Sequence, residues 1–258
     1  MRAIVILYLF FLVAWPVFLV AQNTFADGPG ALRELLADPD IRAAFRLTAI
    51  AALVAVAINT VFGVGMAILL VRYEFPGKRA LSAFIDLPLA VSPIVVGLSL
   101  VLVYGGRGGW FGPTLENAGI QVIFALPGII MATAFVALPL VIREVVPTLQ
   151  EIGTEQEQGA ASLGAGPLTT FRRITLPVIK WAVTYGVVLS LARSLGEFGA
   201  VKVVSGNVLG ETRTATLVVE EKYLNFDPAG AYATAFLLAM VSVACMVVVS
   251  VLRKDQHD

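Results

Sequence analysis

The sequence predicts an all-α membrane protein, a bundle of six transmembrane helices, and three observations carry that reading. The first is composition: 58% of the 258 residues are hydrophobic, 14% are charged, and the mean hydropathy is +0.87. An ordinary soluble domain carries about 25% charged residues. This chain has too little polar surface to cover a water-soluble fold, so lipid must be part of its solvent. The second is a set of six apolar stretches near the ~20-residue length that crosses a bilayer, at 3–21, 45–71, 81–104, 122–142, 178–195 and 229–252. The third is that no segment alternates polar and apolar residues over barrel-strand length, which leaves helices as the spanning element.

The first stretch follows Met1-Arg2, a start shared with secretory signals. Its apolar run is longer than a usual signal core and no small-x-small cleavage site follows Val20, so an uncleaved helix is expected. Residues 1–43 are read as this helix and a polar external segment, and 44–254 as the main transmembrane domain. Pro88 and Pro93 are expected to kink the third span. Two connections are long, 143–177 and 196–228, the second with an apolar run at 200–204. Arg72, Lys78 and Arg79, then Arg143, Arg172, Arg173 and Lys180, then Arg253 and Lys254 assign their connections and the C-terminus to the cytoplasm. Arg33, Arg42, Arg46, Lys202, Arg213 and Lys222 fall on the opposite side and weaken that bias. Both termini inside is the consistent topology.

Several function classes drop out early. The 18 basic and 18 acidic residues balance, so no charge excess points to nucleic acid. Cys245 and His257 are the single cysteine and histidine, which excludes an internal disulfide and the usual zinc or Cys–His chemistries. No cofactor is expected. A membrane enzyme would need a clustered catalytic constellation inside the spans, and none is present. An ion-coupled secondary transporter stays open, although such folds favour midplane ionisable residues, and this chain has few.

The 143–177 connection carries the most local information. Thr154-Glu155-Gln156-Glu157 has the pattern of a capping box, in which Thr154 accepts from a first-turn N–H and Glu157 reaches back. Gly164 and Gly166-Pro167 supply a stop, which predicts a short helix with a small-residue surface at Gly159, Ala160 and Ala161. A second helical piece is expected over 168–175, ending at Pro177, where the fifth span begins. By pattern alone this is either a solvated connector or a surface built for close approach by another protein.

Gln158-Gly159-Ala160-Ala161-Ser162-Leu163-Gly164, then nine residues, then Ile174-Thr175-Leu176-Pro177, resembles the EAA loop of bacterial ABC importer permeases. Gln158 stands where that family has Glu, and Gly159 where it has the first Ala. Glu157 offers a carboxylate one place earlier, turned by about 100° around the helix. The resemblance implies a type I importer permease fold in which this loop is a coupling helix docking on a cytoplasmic ATPase dimer. The chain has no Gly-x-x-x-x-Gly-Lys-Ser/Thr loop, so ATP binding is expected on a separate subunit.

Asp86-Leu87-Pro88-Leu89-Ala90-Val91-Ser92-Pro93, the run from Ala192 through Gly196-Glu197-Phe198-Gly199-Ala200 to Val201, and Ser205-Gly206-Asn207 with Gly210-Glu211-Thr212 resemble the sulfate/thiosulfate permease subunits. The Gly-Glu-Phe-Gly-Ala segment is shared with molybdate permeases, so a molybdate or tungstate permease is the nearest alternative. The resemblance implies an alternating-access pathway formed with a second permease chain, either a companion sulfate permease or a second copy. It also implies a bacterial inner-membrane location and an extracytoplasmic sulfate-binding protein, received by the 196–228 segment with its charges Glu211, Arg213, Glu220, Glu221 and Lys222. The candidate anion pathway comprises Ser190, Arg193, Ser194, Glu197, Ser205 and Asn207. Arg193 either meets the anion or serves as the structural partner of Glu197 one turn later. The two serines line the pathway or let helices pack closely.

Overall fold

The computed structural model describes residues 2–26, 28 and 30–254. His257 lies outside them. Among the described residues every regular element is a helix. We number them α1 (Ile4–Thr24), α2 (Gly30–Ala37), α3 (Pro39–Arg72), α4 (Lys78–Ala90), α5 (Pro93–Tyr104), α6 (Gly112–Asn117), α7 (Leu126–Ile152), α8 (Glu155–Ser162), α9 (Pro167–Leu195), α10 (Gly199–Val204), α11 (Ala215–Leu224) and α12 (Pro228–Lys254). Five of these, α1, α3, α7, α9 and α12, are long and apolar enough to cross a membrane, and the bent pair α4–α5 makes six.

The centre of the bundle is α3 against α7 and α9. Asp38 starts α3 by accepting the Asp40 N–H at 2.9 Å, with Pro39 in the first turn where its missing N–H costs nothing. At 1.5 Å per residue its 34 residues reach about 51 Å, well beyond the ~30 Å hydrocarbon core. Its buried residues recur three or four apart and are mostly small: Ala44, Ala51, Ala52, Ala55, Gly63 and Ala67. Val141 of α7 sits where three backbones converge. A Cβ on Gly63 would lie 3.0 Å from Val141 Cβ, and one on Gly186 of α9 would lie 2.9 Å from Val141 Cα. Lipid gives helices no hydrophobic reason to associate, so such backbone approach is what holds them. Asn59 adds a polar tie, donating to the Ala134 carbonyl of α7 at 2.9 Å. By contrast, no residue in the spanning window of α1 is buried; its end meets α12 through Phe25 and Phe236.

Four expectations need correction. The third span is two helices bent by 112°, broken at Val91-Ser92. Pro93 forces the residue before it into extended backbone and then opens α5, while Pro88 stays inside α4. The 143–177 connection is largely helical: α7 runs ten residues past the expected end at Ile142, and α9 begins at Pro167. Helix does not stop at Pro177 either. A π turn over Phe171–Thr175, closed by Leu176 N–H to Phe171 O, accommodates the proline in a continuous α9. Finally, the apolar run at 200–204 is core rather than loop. Ala200, Val201 and Val204 are buried and α10 approaches α5 closely, since a Cβ on Gly97 would lie 2.8 Å from Ala200 O and one on Gly199 3.0 Å from Pro93 Cβ.

Candidate functional site

Two regions hold the residues singled out by sequence. The first is α8 and its flanks. Gly164 has φ +84°, the left-handed conformation that glycine adopts at little cost. It ends α8 in a Schellman motif, with Gly164 N–H donating to Ala161 O at 2.9 Å and Ala165 N–H to Ala160 O at 3.0 Å. Gly159, Ala161 and Leu163 face outward, Leu163 being 91% exposed, and no α8 residue is buried. The capping box does not form. Thr154 makes no side-chain cap and its hydroxyl accepts from Gln158 Nε2 at 2.9 Å. Glu157 points inward instead, pairing with Arg72 Nε at 2.9 Å and accepting from Thr175 Oγ1 at 2.7 Å. A guanidinium outbids a lone backbone N–H for a carboxylate. Ile174 is half-buried beside this cluster, and Leu176 and Pro177 open the regular part of α9 with exposed side chains.

The second region is the α9–α10 junction. Arg193 Nη1 and Glu197 Oε2 lie 2.8 Å apart. Their surroundings differ sharply, with the Glu197 side chain 2% exposed and that of Arg193 39%. Glu197 Oε1 accepts the Ala200 N–H at 2.9 Å and so caps α10, while its carbonyl accepts from Thr216 Oγ1 at 3.0 Å. The break in α4–α5 lies alongside, since a Cβ on Gly199 would be 3.0 Å from Pro93. Two interrupted helices therefore meet beside one ion pair, the kind of place where transport folds bind ions. Ser190 and Ser194 share this turn of α9. Both are buried, and neither hydroxyl has a hydrogen-bond partner.

Ser205 and Asn207 sit at the other end of α10 in a separate turn. Ser205 is fully buried and accepts the Asn207 N–H at 3.1 Å. Asn207 has φ +56°, and its side chain accepts from Arg213 Nε at 2.9 Å. Most other charges of this segment pair among themselves, Arg213 with Glu221, Lys202 with Glu220, and Lys222 with Asp227 at 2.9 Å, while Glu211 is exposed. Sequence reasoning missed Arg72, Thr175 and the Asp86–Arg143 pair, 2.9 Å apart on the wall of a cleft of about 780 Å³ between α4 and α7. Arg72 and Arg143 were the available signals, and both read only as topology.

The comparisons agree with this architecture. Residues 59–255 match the model of the family described as binding-protein-dependent transport system inner membrane component. The chain is 46% identical over 248 residues to the sulfate transport system permease protein CysW of Synechococcus elongatus, covering 96% of this chain and 86% of that one. It is 38% identical to the sulfate transport system permease protein CysT of the same organism, over 87% of this chain and 80% of that one. Among solved structures, a bacterial alginate ABC transporter in complex with an alginate-pentasaccharide-bound periplasmic protein superposes with a TM-score of 0.79 at 15% identity. That match covers 96% of this chain and 91% of the other, and it speaks to fold alone. This chain belongs to the binding-protein-dependent transport system inner membrane component family.

Proposed function

We propose that the chain is the transmembrane permease subunit of an ATP-driven importer for sulfate, with thiosulfate as a second substrate. The near-full-length likeness to sulfate permeases carries this reading. The Arg193–Glu197 pair gives it a chemistry. A guanidinium has five N–H donors and Arg193 faces Glu197 through Nη1 alone, so the exposed part of Arg193 retains donors for a tetrahedral dianion. Glu197 beside it keeps the local charge near zero, which prevents the anion from being held too tightly to leave. The main permease domain is 44–254, with 1–43 as an added helix and external segment, and both termini are cytoplasmic. A companion permease chain or a second copy completes the pathway. The 196–228 segment receives a sulfate-loaded binding protein, and the outward surface of α8 docks on a separate ATPase dimer. ATP closure of that dimer moves α8, and the paired permeases open outward.

Radiolabelled uptake tests the substrate. Cells lacking the chain should lose sulfate uptake, regain it with the chain, and show competition by thiosulfate. Loss of molybdate uptake with sulfate uptake intact would replace sulfate by molybdate or tungstate. Uptake should stop on ATP depletion and survive collapse of ion gradients; the reverse result would make this a secondary transporter. For topology, a reporter after His257 should report cytoplasm and one near Gly112 the outside, and opposite signs at both would invert the arrangement.

A further inference from the structure

We propose that Glu157, Arg72 and Thr175 form a clamp that fixes the orientation of α8 on the bundle, so that the coupling helix and the ends of α3, α7 and α9 move as one body. The proposal rests on the reading of α8 as the ATPase-docking helix. Its starting point is what α8 lacks. None of its eight residues is buried, so no apolar face seats it against the spans. It is also flanked by glycines with positive φ, Gly153 at +71° and Gly164 at +84°, which leave its connections easy to turn. Something else must set its direction, and the inward carboxylate of Glu157 is the group that does so.

Two elements converge on that carboxylate, α3 and α9, and α7 is tied in through the same arginine. Arg72 is the last residue of α3, with its side chain 11% exposed. Its Nε lies 2.9 Å from Glu157 Oε2, and its Nη1 donates to the Leu149 carbonyl at 3.1 Å. Leu149 is in the last turn of α7, where carbonyls have no intrahelical partner and a cation suits the helix dipole. One guanidinium therefore finishes α7 and holds α8. From α9, Thr175 donates to Glu157 Oε1 at 2.7 Å. That choice is informative. A helical threonine commonly donates to the carbonyl four residues back, as Thr60, Thr148 and Thr184 do here. Thr175 lies at the end of the π turn and donates across to α8 instead. The void left around the cluster is about 10 Å³, room for no more than one water, so the contacts are direct.

Gln158, in contrast, is exposed and folds back on Thr154. The two neighbouring positions divide the work: residue 157 anchors the helix inward, and residue 158 belongs to the outward surface. Force applied to α8 then enters α3, α7 and α9 together instead of bending the glycine links. Arg72 and Thr175 are positioning residues in this scheme.

The test uses the full transporter with its ATPase and binding protein, and it reads the ratio of binding-protein-stimulated to basal ATP hydrolysis per assembled complex. Glu157→Gln and Arg72→Gln should each lower that ratio by about tenfold. Arg72→Lys keeps the charge but cannot span Glu157 and Leu149 together, so it should recover only part of the loss. A role confined to folding would reduce the yield of complex and leave the ratio in the surviving complex unchanged; that result overturns the clamp. A second measurement does not disturb the cluster. Tyr73→Cys and Glu155→Cys, in a Cys245→Ser background, place thiols on exposed positions beside it. Joining them with a flexible bis-maleimide should leave stimulation intact, because the clamp already keeps α8 and α3 together. Loss of stimulation on cross-linking would mean that α8 moves relative to α3, and the clamp would be wrong. Gly164→Val separates the two levels of inference. If it too leaves the ratio unchanged, the ATPase-docking reading itself fails; if it alone uncouples, only the clamp does.

Discussion

Two of the arginine–glutamate pairs, Arg72–Glu157 at 2.9 Å and Arg193–Glu197 at 2.8 Å, have nearly the same length and opposite architecture. The first joins residues 85 apart in sequence and braces four helices. Its arginine is the less exposed member at 11%, against 22% for its glutamate. The second spans one helical turn, and there the glutamate is buried while the arginine reaches outward. An ion pair is thus either a brace between elements or a local cap that leaves a charged group available. Which of these it is depends on which partner is buried and what else that partner binds. On the proposed reading the α8 region transmits motion because its pair is closed to other partners. On the same reading the α9–α10 junction meets an anion because its arginine is not.

The largest effect expected at the first region is on its outward surface. Gly164→Val puts a branched side chain at φ +84°, where a left-handed residue costs about 1–2 kcal/mol. Ala160→Asp adds a charge to the small-residue face. No atom crowds Gly164, so the spans should insert and the protein should accumulate. Sulfate uptake should be lost in both variants while membrane abundance, read by immunoblot, stays near normal. Normal uptake in both would remove the α8 surface from the coupling path and erase the contrast between the regions.

At the junction the burial asymmetry gives a prediction with a direction. Arg193→Gln leaves the Glu197 carboxylate buried with one backbone donor, and orphaning a buried charge costs about 3–5 kcal/mol. Glu197→Gln is gentler, since the amide oxygen can still accept from Ala200 N–H and Arg193 can turn toward water. Abundance should therefore fall more in Arg193→Gln than in Glu197→Gln, and the double variant should recover it. Uptake should stay low in the double variant, because the donor for the anion is gone. A double variant that regains uptake along with abundance would reduce the pair to a structural one.

Sequence was a good guide wherever the cause is local. Six apolar runs located the spans, and Gly164 announced a left-handed stop that the Schellman bonds confirm. It failed where the deciding partner is distant. Thr154 and Glu157 have the spacing of a capping box, but Glu157 prefers an arginine contributed by another helix, and no local pattern contains that competitor. Pro93 predicted a bend in the third span but not its 112°, a geometry in which α5 packs on α10. The 200–204 run reads only as an apolar stretch within a long external connection, because five residues are too few to span. They need only fill the space beside α5. Ser190 and Ser194 were placed on the right helix, yet their burial without partners depends on neighbours that sequence does not reveal.

A third carboxylate, Asp227, sharpens the comparison from the weak end. It lies just before α12, outside the span, where Oδ1 accepts the Gly230 N–H at 2.9 Å and Oδ2 meets Lys222 Nζ at 2.9 Å. The Gly230 N–H first, and Lys222 second, hold its pKa below the ordinary value, because both favour the charged form. A carboxyl with a lowered folded pKa stabilises the protein fully above its unfolded pKa. That contribution is lost as pH falls through the folded one. Its side chain is 45% exposed, so solvent and salt screen the lysine contact, and the cap is the larger part. Asp227→Ala should cost about 1 kcal/mol, and Asp227→Asn, which can still cap, a few tenths. Thermal unfolding in detergent at neutral pH should resolve the first and barely the second. Both differences from the parent chain should shrink as pH is lowered toward and below the ordinary carboxylate range. A difference that grew on acidification would mean that Asp227 is stabilised in its neutral form, contrary to the bonds it makes. A loss as large as that expected for Arg193→Gln would mean that exposure does not set the cost of breaking a pair in this protein, and the contrast between Arg72–Glu157 and Arg193–Glu197 would need another cause.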